Sequence, residues 1–228
     1  MAVTRPSVLK WAPIVDAELS RAQVPLPRDL ILAVMEIESQ GYPGIRNPKS
    51  GASGLMQVMP TTLDSYNKVN PSSKVTLAEL RSSSPSAAVK QIRVGLWVIS
   101  HYWKKAFNYL SERLSNVPID ELAHIADLYY VAGAGATQER MNQLSLPTWA
   151  AVQASFPSWN ALPHPRNVFQ LIEGITWPLD AIEDWLDQKD IFKPTPKDGF
   201  ILSLMGLLVA WYFLRDKGKG KGNEQKKL

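Results

Sequence analysis

The chain has 228 residues, of which 45% are hydrophobic and 20% charged, as is usual for a folded globular protein. It contains no cysteine, which excludes disulfide bonds and thiolate chemistry. Its three histidines lack the spacing of a zinc site. A metal site built from carboxylates that folding brings together would show no such spacing and stays open. We therefore predict neither a metal nor another cofactor. The net charge of +4 arises after Leu214, in a tail with six Lys or Arg and two acidic residues, so the balanced remainder does not indicate nucleic-acid binding.

Apolar residues recur at helical spacing along most of the chain, and no run alternates as a half-buried strand would. Loops are predicted where Gly, Pro, Asn and Ser cluster, and residues 145–165 are expected to be irregular. In chain order, the first predicted helix covers 7–22, and the second begins at a cap near Asp29 and ends before Gly41. The third covers 54–69, with an interruption near Pro60. Further helices are predicted over 87–114, 119–131, 166–174 and 178–188. The chain is therefore predicted to be all-α, or nearly so.

Residues 200–214 read FILSLMGLLVAWYFL and contain no charge. A helix of this length spans about 22 Å, short of the ~30 Å hydrocarbon core of a bilayer. Nevertheless, Trp211, Tyr212 and the basic tail are typical of a membrane interface. We predict a domain over 1–192, a linker over 193–199, a membrane-contacting helix over 200–214 and a basic tail over 215–228. A buried or partner-binding helix is the alternative for 200–214.

Glu38 is the strongest candidate for chemistry. It lies near the C-terminal end of an apolar helix, where burial favours the neutral, proton-donating carboxyl group. The loop GASGLMQ follows, and its glycines allow backbone to approach a bulky ligand closely. Gln57 offers a donor and an acceptor and Met56 an apolar surface, which suits a sugar with hydroxyl and N-acetyl groups. Taken singly, each residue also has an ordinary structural explanation, and Glu36, which faces another direction on the helix, competes as the acid.

The string EIESQGYP, followed by NPKSGASGLMQVMPTT, resembles the signature of the soluble lytic transglycosylases, which are related to goose-type lysozyme. Further matches follow in order: QIRVG at 91–95 resembles N-I-x-x-G, and YYVAGAG at 129–135 resembles A-Y-N-A-G-x-G. PRNVFQLI, near 166–172, weakly resembles a closing segment that usually contains a Tyr-Val pair. The resemblance covers about residues 10–175 and implies a lysozyme-like helical domain with a C-terminal helix appended.

The sequence departs from the family pattern at three places. Val131 stands where the family has Asn, and Val168 or Phe169 stands in place of the closing Tyr. The loop between Glu38 and Gly54 is about one residue longer than in familiar members.

By this resemblance Glu38 is the catalytic acid/base, Ser39, Met56 and Gln57 line the glycan cleft, and Tyr130 orients the carboxyl group. In the family, the Glu protonates the glycosidic oxygen between MurNAc and GlcNAc, and the 2-acetamido group of the substrate stabilises the positive charge at C1. The deprotonated Glu then takes the proton of the MurNAc 6-hydroxyl, which closes a 1,6-anhydro ring. One carboxyl group is enough for this chemistry, whereas ordinary glycosidases use two.

Two other functions remain open from the sequence. A hydrolysing lysozyme could use the same Glu38 together with a carboxylate across the cleft, for which Asp64 and Asp127 are candidates. Alternatively, the domain could be an inactive structural or glycan-binding virion protein. Because the N-terminus lacks the apolar core and cleavage site of a signal peptide, we expect a phage-encoded enzyme in the virion or the host cell envelope, acting at entry or at lysis. An accessory enzyme of a bacterial secretion system is the alternative. Its expected partners are peptidoglycan strands, a membrane reached through 200–214 and virion proteins.

Overall fold

Helices provide the secondary structure of the residues that the computed structural model describes, which are Val3, residues 5–173 and residues 176–187. Extended backbone in this part of the chain is limited to two isolated antiparallel bridges, Arg46 with Ser53 and Ser53 with Val58. The helices are α1 Pro6–Leu9, α2 Ala12–Ala22, α3 Arg28–Ser39, α4 Pro60–Val69, α5 Leu77–Leu80, α6 Pro85–Ser111, α7 Ile119–Ala132, α8 Ala134–Met141, α9 Trp149–Ser155, α10 Pro163–Leu171 and α11 Leu179–Asp187, with a 3-10 turn at Pro71–Ser73. The predicted all-α class is confirmed, and the predicted linker, membrane helix and tail lie outside the described residues.

Prolines explain three differences from the predicted helix boundaries. The predicted first helix is divided into α1 and α2, and Pro13 occupies the first turn of α2, where a missing backbone N–H costs little. Pro27, rather than Asp29, precedes α3, and Asp29 lies inside its first turn. Pro60 begins α4 instead of interrupting a longer helix, so residues 54–59 form turns and a bridge.

The region 145–165 is more helical than its composition predicts. Thr148 accepts a hydrogen bond from the backbone of Ala151 and so caps α9, at 3.2 Å. Helix α10 begins at Pro163, earlier than the predicted residue 166, and therefore includes His164. A further helix, α8, follows α7 directly, because Gly133 adopts a positive φ of 81° that lets the chain turn between them.

Helix α6 is the longest element and forms the centre of the packing. It packs most extensively on α7 and also contacts α2, α4 and α5. Helix α3 contributes fully buried apolar side chains, including Ile31 and Met35, while Ile92 contributes from α6. Helix α10 packs against both α3 and α7, which brings the C-terminal end of α3 beside these two helices. Among the described residues, no helix is both long and apolar enough to cross a membrane.

Candidate active site

The carboxyl group of Glu38 lies at the junction of α3, α7 and α10. Its side chain is 19% exposed, and its Oε1 atom is 3.1 Å from Nε2 of His164 on α10. The other ring nitrogen of His164, Nδ1, is 2.7 Å from Oδ2 of Asp127 on α7. One imidazole therefore connects the candidate acid to a second, almost fully buried carboxylate.

The two carboxylates determine the charge of His164. Burial by itself lowers the pKa of His164, but the hydrogen bond to Asp127 and the proximity of the Asp127 and Glu38 carboxyl groups outweigh burial and raise that pKa to about 10. The ring is therefore an imidazolium at neutral pH. Its Nδ1 donates a hydrogen bond to Asp127, whereas Nε2 approaches Oε1 of Glu38 to 3.1 Å without the alignment of a hydrogen bond. Since the two nitrogens face opposite carboxylates, these groups do not converge on a metal, and no such cluster occurs among the described residues.

Tyr130 lies one turn after Asp127 on α7, and its ring centroid is 6.2 Å from that of His164. Its hydroxyl donates a hydrogen bond to the carbonyl oxygen of Met56. Burial, and then the charges of Glu38 and Asp127, raise the pKa of Tyr130 well above its ordinary value. The phenol therefore stays protonated and remains a hydrogen-bond donor to the loop beside Glu38.

The loop over residues 51–57, termed here the GASGLMQ loop, is held from three helices. From α3, the Ser39 hydroxyl donates to the carbonyl oxygen of Leu55 at 2.7 Å. From α6, the side-chain oxygen of Gln91 accepts from the Leu55 backbone N–H at 3.0 Å, while its amide nitrogen donates to the carbonyl oxygens of Glu79 and Ser82. The hydrogen bond from Tyr130 is the third of these contacts, so three of the sequence segments that resemble the family meet at this loop: the one that contains Ser39 and the loop itself, the one at 91–95 and the one at 129–135.

Two glycines make this close packing possible. Gly54 adopts a φ of 81°, and a Cβ there would lie 2.8 Å from both the Gln91 side-chain oxygen and the Leu80 carbonyl oxygen. A Cβ on Gly95 of α6 would lie 2.2 Å from the sulfur of Met56 and 2.7 Å from its Cβ. Because Met56 is fully buried and its Cβ as well as its sulfur would overlap the added carbon, a larger residue at 95 would require Met56 to shift.

The structure places the residues predicted to line the cleft partly in the interior. Ser39 and Met56 are 2% and 0% exposed, and both pack in or against the GASGLMQ loop, so their direct contact with a glycan stays a prediction. Gln57 is half-buried, with its amide nitrogen donating to the carbonyl oxygens of Ile45 at 3.2 Å and Gly54 at 3.0 Å. Glu38 and Tyr130 flank the same loop.

The competing carboxylates are in different surroundings. Glu36 forms an ion pair with Arg5 at 2.6 Å and takes no part in the cluster around His164. Asp64 is exposed on α4, while Asp127 is buried and bonded to His164.

Sequence reasoning missed His164, because it considered the histidines only as zinc ligands. Val168 is fully buried, and the Phe169 ring lies 3.9 Å from the ring of His124. His164 precedes Val168 by four residues and therefore shares its face of α10, which packs towards α3 and α7. That helical spacing was the one signal in the sequence that could have indicated His164.

A series of ring contacts leads along α6 towards the site. Trp97 contacts Tyr66 and His101, His101 contacts Tyr102, and Tyr102 contacts Tyr130, with centroid distances between 5.6 and 6.5 Å. The rings on α6 are half-buried, so part of each remains at the surface. Aromatic faces of this kind provide rigid apolar contact area next to polar edges.

The helical fold and a single partly exposed carboxyl group beside a glycine-rich loop define a domain of the lysozyme-like class. The family profile of the transglycosylase SLT domain matches residues 20–143, which is more than half of the chain. The chain belongs to this family, whose members are lytic transglycosylases, and membership supports a peptidoglycan-degrading function. A search of curated proteins found no match. The matched region contains Glu38, Asp127 and Tyr130 but ends before α10, so His164 lies outside it.

Proposed function

We propose that this chain is an active lytic transglycosylase that cleaves the β-1,4 bond between MurNAc and GlcNAc with Glu38 as its acid/base. The observation that carries the proposal is the position of Glu38, whose partly exposed carboxyl group is 3.1 Å from the imidazole of His164 and near enough to Tyr130 for its charge to raise the pKa of that phenol. Membership in the transglycosylase SLT domain family supports the substrate class.

In the proposed reaction, the Glu38 carboxyl group donates its proton to the glycosidic oxygen as the bond from C1 to that oxygen breaks. The 2-acetamido group of MurNAc stabilises the positive charge that develops at C1. The Glu38 carboxylate then accepts the proton of the MurNAc 6-hydroxyl while O6 bonds to C1. This second step forms the 1,6-anhydro ring and returns Glu38 to its protonated state, so no water is consumed.

The surroundings of the other carboxylates favour this reaction over hydrolysis. A second carboxylate that activates water or attacks C1 would have to face the scissile bond. Asp127 is instead 6% exposed and bonded to His164, and Asp64 is exposed on α4. A single acid/base that works with the substrate's own acetamido and hydroxyl groups fits this arrangement.

The test is digestion of purified peptidoglycan by the full chain, with mass spectrometry of the released muropeptides. We expect anhydro-MurNAc ends, one water lighter than reducing ends, and their loss in Glu38→Gln. Glu36→Gln is the matched control, because Glu36 is on the same helix but pairs with Arg5 at 2.6 Å, and it should keep activity. Reducing ends that depend on Glu38 would indicate a lysozyme, and no products from folded wild-type protein would indicate a structural or glycan-binding role.

We also propose that the chain reaches the cell wall from a phage virion and contacts a membrane through residues 200–214. The uncharged run and the basic tail that follows it support membrane contact. We expect the full chain to sediment with phosphatidylglycerol vesicles. The double variant Leu207→Arg, Leu208→Arg should abolish this sedimentation. The control variant His124→Gln should bind the vesicles as the wild type does. Equal binding by all three proteins would contradict the membrane proposal. Immunoblotting of purified particles of the encoding phage tests the virion location.

A further inference from the structure

The pair formed by His164 and Asp127 is the feature of the site that the proposed function does not yet use. We propose that His164, held by Asp127, is a positioning residue that fixes the Glu38 carboxyl group and balances its charge during the reaction. This inference rests on the proposed role of Glu38 as the acid/base. It concerns a residue that lies beyond the region matched by the family.

The geometry allows His164 little freedom. Its side chain is 10% exposed, and its Nδ1 atom is fixed by the 2.7 Å hydrogen bond to Asp127, whose side chain is 6% exposed. With one ring nitrogen fixed, the opposite nitrogen, Nε2, lies 3.1 Å from Oε1 of Glu38. The carboxyl group of Glu38 is therefore held in place by a ring that is itself held by a second helix.

The charges around His164 explain what this contact does. The titratable groups that face it are Glu38 from α3 and Asp127 and Tyr130 from α7, and Tyr130 stays protonated. His124, also on α7, has a pKa lowered by burial and stacks on Phe169 of α10, so it adds no positive charge. One imidazolium thus lies between two carboxyl groups. When Glu38 gives up its proton, the carboxylate that forms is already next to a positive charge.

No proton has to leave His164 in this scheme. Glu38 alternates between acid and carboxylate, while His164 and Asp127 exchange no proton with the substrate. Loss of the imidazolium would leave Glu38 less well placed and its carboxylate uncompensated. Misplacement of a reacting group can lower a rate by about 100-fold.

The first test is the pH dependence of peptidoglycan solubilisation by the full chain and by His164→Gln and Asp127→Asn. We expect His164→Gln to lower the maximal rate by about 10- to 100-fold. The alkaline limb of its pH–rate profile should also move, because the positive charge beside Glu38 is gone. Asp127→Asn should move the limb in the same direction. A lower rate with an unchanged profile would overturn the proposal, since a purely structural role predicts that result.

His124→Gln is the matched control, because it removes a half-buried histidine of α7 that stacks on Phe169 and Trp149. It should leave the pH profile unchanged. If Glu38→Gln retains activity, the proposed function fails. If Glu38→Gln is inactive and the His164→Gln profile is unchanged, only the present inference fails.

A second measurement does not depend on activity or on the folding of His164→Gln. In the wild-type chain, imidazole nitrogen NMR should show one histidine that remains charged to about pH 10, with its pKa raised by the two carboxylates. In Glu38→Gln the pKa of this histidine should fall, because one of the two negative charges is gone. A His164 that titrates near pH 6.5, or that is unaffected by Glu38→Gln, would overturn the proposal.

Discussion

The Tyr130 hydroxyl donates a hydrogen bond to the carbonyl oxygen of Met56, which ties α7 to the GASGLMQ loop. Ser39 binds the same loop from α3 through Leu55. Since Glu38 directly precedes Ser39, the loop and the candidate acid are fixed by neighbouring contacts. The tyrosine that family resemblance associates with orientation of the carboxyl group thus contacts the loop backbone in this structure.

Tyr130→Phe should leave the fold intact and lower the rate of peptidoglycan cleavage by about tenfold or more, because the loop loses a charge-neutral hydrogen bond worth about 1 kcal/mol beside the reacting group. Muropeptide release and thermal unfolding measure the two effects. Tyr129→Phe is the matched control, since the buried Tyr129 hydroxyl interacts with Gln138 rather than with Met56. An equal loss of activity in both variants would contradict a specific role for the Met56 contact.

Gly95→Ala should destabilise the domain by about 1–3 kcal/mol, because the new methyl group would overlap Met56, whose Cβ lies 2.7 Å from the added carbon. Urea unfolding measures this change. Gly135→Ala, in α8, is the control: nothing lies within 4 Å of the added methyl group, and Ala has a higher helix propensity than Gly. It should stabilise the protein or leave it unchanged, and destabilisation of similar size in both variants would exclude steric overlap as the cause.

The ion pair of Glu18 on α2 with Arg93 on α6 should make stability depend on pH. Burial raises the pKa of Glu18, but hydrogen bonds and charge from Arg93 and Arg21 outweigh it and lower that pKa below 4.5. A lowered pKa in the folded state means that the stabilisation is present above about pH 4.5 and lost as the pH falls. Glu18→Gln should therefore cost about 3 kcal/mol near pH 7, because it leaves Arg93 without its buried partner, and less in acid.

Denaturant unfolding between pH 3 and 7 checks this dependence. Glu112→Gln is the control, because Glu112 is 72% exposed in its pair with Arg113, and such pairs contribute at most about 1 kcal/mol. A cost for Glu18→Gln that stays constant from pH 7 to pH 3 would contradict the assignment of the stabilisation to the charged pair.

Much of the helical architecture could be predicted because helix formation depends on residues close together in the chain. The apolar periodicity of 87–114 corresponds to α6 at Pro85–Ser111, and that of 119–131 to α7 at Ile119–Ala132. Pro60 shows the limit of this reasoning, since a proline is compatible with the first turn of a helix as well as with an interruption. In the structure, residues 54–59 form turns and a bridge, and Pro60 lies in the first turn of α4.

By itself, the sequence determined the helical class, the family and the candidate acid, because helical periodicity and a motif such as GASGLMQ are local properties of the chain. Only the tertiary structure decided what surrounds Glu38. His164 and Asp127 are 37 residues apart, and both are still further from Glu38 along the chain. Their contact depends on how α10 packs against α3 and α7. The charge of an imidazole depends on burial and on the carboxylates within a few ångströms of it, and these are set by helix packing rather than by neighbours in sequence.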